Sequence, residues 1–511
     1  MCPLRRRDKS IDDNRDTGIV IIGTGFSGLG MAIQLKRSGI HDFVILEKAD
    51  DVGGTWRDNT YPGCACDIRS NLYSFSYAQN PDWSRRYAGS KEIWDYLRGC
   101  ADKYGIRRHV RFGAEFTGAT FDEETLRWTV HTVGAGSYTA RAVVAGVGVL
   151  HIPSIPELPG IERFEGRRFH SAEWDHGHDL TGRKVAVIGT GASAIQFVPR
   201  IAERVGSLTV FQRTPPWILP KPDRETSRWE RLMYRVVPFT QRLRRVARFL
   251  IYDARALGFA INPKLMKVLS KPAARHLEHQ VPDPQLRAKL TPTYTMGCKR
   301  VLISNDFYPA LARPNVELVT DAIAEVREHS IVTAAGDEHE VDTIIYGTGF
   351  HVSDALYHLA ITGRDGRDLT EEWRTRGART YLGITVSGFP NLFFLLGPNT
   401  GLGHNSVVLM IEAQTRYVLR CLAALARRDV DAIDVRSVAQ NRFDREIHAK
   451  LRKGVWNVGG CRSWYLDPEG VNRTVWPGFV WQYLRRTNKV ILDDYELLKA
   501  KRPRVAARSG A

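Results

Sequence analysis

The sequence predicts an α/β fold with two Rossmann-like dinucleotide-binding domains and a helical insertion. Three observations predict it. "GIVIIGTGFSGLGMAIQLKRSGIHDFVILEKA", from residue 18, runs buried strand, glycine turn, helix, second strand. "RKVAVIGTGASAIQFVPRIAERVGSLTVFQRT", from residue 183, repeats that order. After it, up to residue 297, Arg alternates with apolar residues at helical spacing.

In the first unit, strands are expected at 19–22 and 43–46, the second ending at Glu47. Gly23 allows the tight turn. Gly25 lets the backbone approach a pyrophosphate, and Gly28 lets the helix pack on the strand. The helix N-terminus then offers free N–H groups and partial positive charge to phosphates. Glu47 is placed to accept hydrogen bonds from a ribose diol. A glycine motif between strand and helix, with such an acid beyond it, is a specific signal.

In the second unit, strands are expected near 185–188 and 208–212. Gly189, Gly191 and Ala194 form the GxGxxA variant of the turn. No acid ends the second strand; the chain reads "FQRTPPW", with Arg213 and Thr214. A carboxylate there favours a free ribose 2′-hydroxyl, whereas arginine favours a 2′-phosphate, so the second nucleotide is read as NADPH. A further strand is expected in "VDTIIYGTGF", at 341–350.

A chain of 511 residues suggests about two to four domains. The formal charge of +17 suits nucleic acid, anionic lipid or anionic cofactors. No nucleic-acid motif appears, and two anionic cofactors use part of that charge, so no nucleic-acid partner is expected. The first 15 residues are charged and lack an apolar segment, which reads as a disordered basic tail rather than a signal peptide. No apolar run approaches the ~18 residues of a membrane span. The insertion reads as a solvated amphipathic face, with weak contact to a membrane surface as the alternative. Seven scattered cysteines, an odd number in a large chain, suggest a reduced, cytoplasmic protein without a disulfide framework. Cys64 and Cys66, like His176 and His178, lack a matching second pair, so no metal is expected.

Two longer patterns are more specific. "FEGRRFHSAEWD" matches F-x-G-x-x-x-H-x-x-x-W-D through Phe164, Gly166, His170, Trp174 and Asp175. "GGTWRDNTYPGCACD" matches [AG]-G-x-W-x-x-x-x-[FY]-P-[GM]-x-x-x-D, from Gly53, Gly54, Thr55 and Trp56 through Tyr61, Pro62 and Gly63 to Asp67. These patterns, and their order among the glycine turns, resemble type I Baeyer–Villiger monooxygenases, flavoproteins that turn ketones into esters or lactones. "GCKRVLISNDFYPALARPNV" at 297–316 and "GPNTGLGHNS" at 397–406 have the same texture. The resemblance runs over residues 15–490 and is weakest in the insertion.

The resemblance implies FAD in the first unit, NADPH in the second, and a small-molecule ketone with O2 as substrates. One oxygen atom would be inserted beside the carbonyl through a C4a-peroxyflavin. It implies an FAD domain at 16–150 and 350–511, an NADPH domain at 151–222 and 298–349, and the insertion at 223–297. Arg300 would be the active-site cation and Asp67 the acid that holds it. Gly54, Thr55 and Trp56 would line the flavin loop. Lys299 would join Arg213 and Thr214 on the 2′-phosphate, and Trp464 would contact the nicotinamide ribose. His170 would be a hinge residue rather than an acid or base. Related NADPH/FAD enzymes that oxidise amines or sulfides are the alternative, but their pattern lacks the Trp-Asp ending and the "GGTW" run. A disulfide reductase would need C-x-x-x-x-C, which "CAC" does not supply.

Overall fold

The computed structural model describes residues 14–352, 359–467 and 469–501. The expected N-terminal tail lies outside the described residues up to residue 13. Its last two residues do not belong to it, because the first strand is Asn14–Ile22. Residues 14–17 pair in register with Ser137–Ala140 of the neighbouring strand, a partner no local pattern announces.

Two sheets with parallel cores organise the chain. The first runs in the order Ile361–Thr362, Glu115–Asp122, Arg127–Val133, Ser137–Ala145, Asn14–Ile22, Phe43–Glu47, Val110–Phe112, with Leu392–Phe394 also paired to Ser137–Ala145. The second is all parallel, in the order Val316–Val319, Ser207–Phe211, Lys184–Ile188, Thr343–Tyr346, Arg167–His170. Strands such as Thr343–Tyr346 are buried on both faces, which is why they read as unbroken apolar runs rather than alternating ones.

The two glycine turns occupy equivalent places, each at the carboxyl end of a central strand. Gly23 and Gly189 adopt φ of +89° and +102°, which favours glycine. A Cβ there would stand 2.9 Å from the Gly146 carbonyl oxygen and 2.6 Å from that of Gly347, respectively. Gly28 allows no side chain either: its Cβ would lie 1.8 Å from the Gly23 oxygen, so this glycine seats helix Phe26–Arg37 on the sheet.

The fingerprint at 164–175 forms the edge of the second sheet. Arg167–His170 pairs with Thr343–Tyr346, burying Phe169 and His170 and leaving both arginines outside. A Cβ on Gly166 would meet the Asp342 oxygen at 2.3 Å and the Phe164 ring at 2.5 Å. The two chain crossings between the sheets also pair with each other. Ser154 N–H donates to the Gly349 carbonyl and His351 N–H to that of Ile152, both at 2.9 Å.

The insertion contains helices Arg228–Val236, Pro238–Ala254, Lys271–Gln280 and Pro284–Leu290. Among the described residues no helix is long and apolar enough to cross a membrane. The expectation of unpaired thiols fails at one pair: Cys298 and Cys461 are bonded, with their Cα atoms 6.1 Å apart. A separation of 163 positions hides such a pair from any count of cysteines. Cys64, Cys66, Cys100 and Cys421 are free and buried.

Candidate functional site

The site is built where a loop of the first unit docks on the second. The loop carrying Gly53 to Asp67 is clamped by Gln196, on the helix Ala194–Ile201 that follows the second glycine turn. Tyr61 Oη donates to Gln196 Oε1 at 3.0 Å, and Gln196 Nε2 donates to the Ala65 carbonyl at 2.9 Å. The loop thus fixes Asp67 between the two sheets.

Arg300 reaches Asp67 from the segment that follows the insertion. Its Nε and Nη2 both donate to Asp67 Oδ2, at 2.9 and 2.6 Å. The pair is partly open, with the side chains 32% and 25% exposed. The Asp67 carboxylate raises the Arg300 guanidinium further above its already high ordinary range, so the charge is permanent. Tyr465, fully buried, stands beside the guanidinium. Burial pushes its hydroxyl up to about 12, with the Arg300 charge pulling the other way. It therefore keeps its proton. Nothing in the local sequence marks Tyr465, although it adjoins Trp464. Trp464 is 40% exposed, its ring 4.2 Å from that of Tyr465.

At the first turn, Gly25 and Gly54 face each other. A Cβ on Gly25 would find only the Gly54 Cα, at 3.9 Å. Helix Phe26–Arg37 begins without a side-chain cap, so its first amides have no side-chain acceptor. Thr55 opens the short helix Thr55–Asp58, and Trp56 Nε1 donates to Tyr73 Oη at 3.2 Å. Glu47 is buried at its strand end but already occupied. Its Oε2 accepts from Thr24 N–H at 3.0 Å and Thr24 Oγ1 at 2.5 Å, and its Oε1 from Ala49 N–H and Arg57 Nη1 at 3.0 and 3.1 Å. Those donors match the four acceptor directions of a carboxylate. Only the Thr24 hydroxyl and Arg57 can swing away to admit another.

At the second turn, a Cβ on Gly191 would find only the Gly347 oxygen, 3.7 Å away, and helix Ala194–Ile201 also lacks a side-chain cap. Arg213 is exposed, Thr214 partly buried, and Lys299 stands near enough to feel the Arg213 charge. Burial first, then that repulsion, lowers the Lys299 ammonium below its ordinary value. Neither cation has an acidic partner among the described residues. Two cations held together without an anion make a ready site for one.

The Cys298–Cys461 bond flanks this cluster on both strands of chain: Lys299 and Arg300 follow one cysteine, Trp464 and Tyr465 the other. Removing it with Cys461→Ala is expected to reduce stability by about 2–4 kcal/mol and to raise KM for the nicotinamide cofactor. Thermal melting and steady-state kinetics, each with and without reductant, check this; an unchanged Tm contradicts it.

The fingerprint residues grip the second unit. Trp174 packs on Phe169 and on Phe197 of the Gln196 helix, each with ring centroids 5.3 Å apart. Asp175 bonds Arg167 at 2.6 Å, and Phe164 is buried. His170 is buried against Phe350, on the returning crossing, and its Nδ1 accepts from Ala172 N–H at 3.1 Å. Burial pushes the imidazole down to about 4, so it is neutral at physiological pH. Among the described residues no group of three His, Cys, Asp or Glu could hold a metal.

Known proteins share this architecture. Residues 20–231 match the family model described as pyridine nucleotide-disulphide oxidoreductase. A Baeyer-Villiger monooxygenase of Pseudomonas aeruginosa is 49% identical, over 94% of this chain and 92% of that protein. One of Streptomyces coelicolor is 47% identical, over 96% and 94%. Among solved structures, a steroid monooxygenase bound to NADP superposes with a TM-score of 0.85 at 30% identity, covering 95% of this chain and all of that one (100%). A cyclohexanone monooxygenase from Rhodococcus bound to NADP+ gives 0.83 at 29% identity, covering 96% and 100%. With nearly half its residues identical to proteins of that name along almost their whole length, the chain belongs to the Baeyer–Villiger monooxygenase family.

Proposed function

We propose that the protein inserts one oxygen atom of O2 beside the carbonyl of a small-molecule ketone, giving an ester or lactone, with FAD at the first turn and NADPH at the second. The observation that carries this reading is the Asp67–Arg300 pair, a permanent cation held by the loop whose Gly54 faces the first glycine turn and whose Ala65 is bonded to the helix after the second. Both cradles fit their groups. Gly25 and Gly191 each leave room where a pyrophosphate approaches the backbone, and both following helices start uncapped. When bound, FAD would supply the hydride acceptor for NADPH and the centre that activates O2.

The chain's own part is electrostatic. Arg300 faces the negative charge that develops on the attacking oxygen and on the ketone oxygen, and Asp67 keeps the guanidinium aimed. Tyr465, holding its proton, keeps a second negative charge away from the cation. Gln196 carries the position of one unit to the other through the 53–67 loop. His170, neutral and wedged against the returning crossing, serves as a hinge residue. Glu47 would hold the flavin ribose if Arg57 or the Thr24 hydroxyl gave up its place on the carboxylate. We assign the units on either side of the crossings as the FAD and NADPH domains, in a cytoplasmic enzyme.

Arg213, Thr214 and Lys299 together suit a 2′-phosphate, and each charged contact contributes about 1.5–3 kcal/mol. NADPH is therefore expected to exceed NADH by about tenfold or more in kcat/KM. Arg213→Ala should erode that ratio mainly through KM. Because Lys299 loses its proton below the ordinary lysine value of about 10.4, KM for NADPH should rise with pH in the alkaline range before an ordinary lysine titrates. Initial rates with both cofactors across pH check this; equal use of NADH removes the assignment. Product identification from a panel of cyclic, aliphatic, aromatic and steroid ketones tests the reaction itself.

A further inference from the structure

Helix Pro238–Ala254 is turned inside out. Phe239, Leu243, Val246 and Leu250, spaced along one helical face, are 67, 57, 52 and 59% exposed. Its opposite, inward face carries Gln241, Arg245 and Asp253 beside the aromatic Phe249 and Tyr252, and that face is bolted down. Arg245 Nη1 donates to the carbonyls of Asn71, Leu72 and Ser74 at 2.9, 3.2 and 2.9 Å. Gln241 Nε2 donates to the Asn80 carbonyl at 2.6 Å, and Asp253 accepts from Val480 N–H at 2.7 Å. These bonds set the rotation of the helix, so the apolar stripe cannot roll into the core. A soluble helix normally does the reverse. The stripe is also not isolated. Trp229 before it and Val268 after it are 78 and 60% exposed, so the apolar surface continues across the insertion.

The charge along the stripe's own stretch of chain is mainly positive. Residues 228–271 contain eleven Lys and Arg and only two acids, Glu230 and Asp253. Glu230 is taken by Arg224 and Arg244, and Asp253 is buried. Arg228, Arg242, Lys264 and Lys267 are exposed beside the apolar side chains. A two-fold contact with a second copy would set these cations against themselves, with no free carboxylate in residues 228–271 to answer them. A nucleic acid would answer the charge but leave the stripe in water. An anionic lipid surface satisfies both: hydrocarbon takes the stripe and headgroups take the cations.

We propose that this face docks the protein on an anionic phospholipid surface, lying in the interface without crossing it. The inference goes beyond the oxygenation reading and does not depend on it. The body that docks is the one that holds the site, since Phe259 of the insertion packs on His404 and Trp456, with ring centroids 6.1 and 6.0 Å away.

The test is flotation of the purified full-length protein with phosphatidylcholine vesicles, with and without phosphatidylglycerol. The protein should float with the anionic vesicles at least about tenfold better than with the neutral ones, and added salt should weaken the binding. The double variant Leu243→Asp, Leu250→Asp alters exposed positions only. It should keep its Tm and flavin content and lose vesicle binding. Failure of the wild type to float with anionic vesicles overturns the proposal. So does undiminished flotation of the folded double variant. A wild-type dimer that the double variant dissolves, without vesicle binding, would assign the face to a second copy and overturn it equally.

Discussion

Arg300→Ala is expected to abolish ester or lactone formation, by about 10²–10³-fold or more, while flavin reduction by NADPH proceeds near the wild-type rate. Hydride transfer creates no anion that needs the guanidinium; oxygen transfer to the ketone does. The loss should exceed that of a neutral donor for two reasons. A full charge is removed, and the partly buried Asp67 is left behind without its partner, repelling the charge the site should attract. Arg300→Lys should rescue little. Two guanidinium N–H groups converge on one oxygen of Asp67, a fork an ammonium cannot reproduce. Asp67→Asn should fall between, because the cation remains but loses its aim. The measurement pairs stopped-flow flavin reduction under nitrogen with product detection in air. Ketone oxygenation by Arg300→Ala near the wild-type rate would place the active site elsewhere.

Gly25→Ala is expected to yield a folded protein nearly devoid of flavin. In the protein alone the added methyl meets only the Gly54 Cα, at 3.9 Å, so the fold tolerates it. Its cost appears when a pyrophosphate needs that space. Affinity for FAD should fall by about tenfold or more, a change of about 1.4 kcal/mol per tenfold, with little change in the Tm of the flavin-free protein. Gly28→Ala is the contrast. Its methyl would stand 1.8 Å from a backbone oxygen, so the flavin-free protein itself should be destabilised or fail to fold. Flavin absorbance and thermal melting of the stripped proteins separate the two. Full flavin retention by Gly25→Ala would mean the first turn is not the FAD site.

The sheets were legible because their strands are short, apolar and followed by glycine turns with a mechanical purpose. The strand expected at 43–46 appears as Phe43–Glu47, and that at 185–188 as Lys184–Ile188. Strand Arg167–His170 was not legible, since its strand character comes from pairing with residues more than 170 positions away. The site was legible through motifs rather than periodicity. Asp67 and Arg300 lie 233 residues apart, and only the family resemblance links them in the sequence; in the folded chain they are in contact. Arg57 beside Glu47, Tyr465 beside Arg300 and the Cys298–Cys461 bond are all tertiary matters with no local signature. The inverted helix is a further case. Its spacing is that of any amphipathic helix, and spacing does not say which face meets water.

Oxygen transfer to a ketone at the Asp67–Arg300 site is the step on which every other role proposed for the site depends. It is tested most directly by turnover of a ketone with NADPH under ¹⁸O₂, followed by mass spectrometry of the products. An ester or lactone carrying one ¹⁸O atom, formed by the wild type and absent with Arg300→Ala, is the predicted result. NADPH consumption that yields no labelled ester or lactone from any ketone tested, with oxygen appearing only on amine or sulfide substrates, would contradict it.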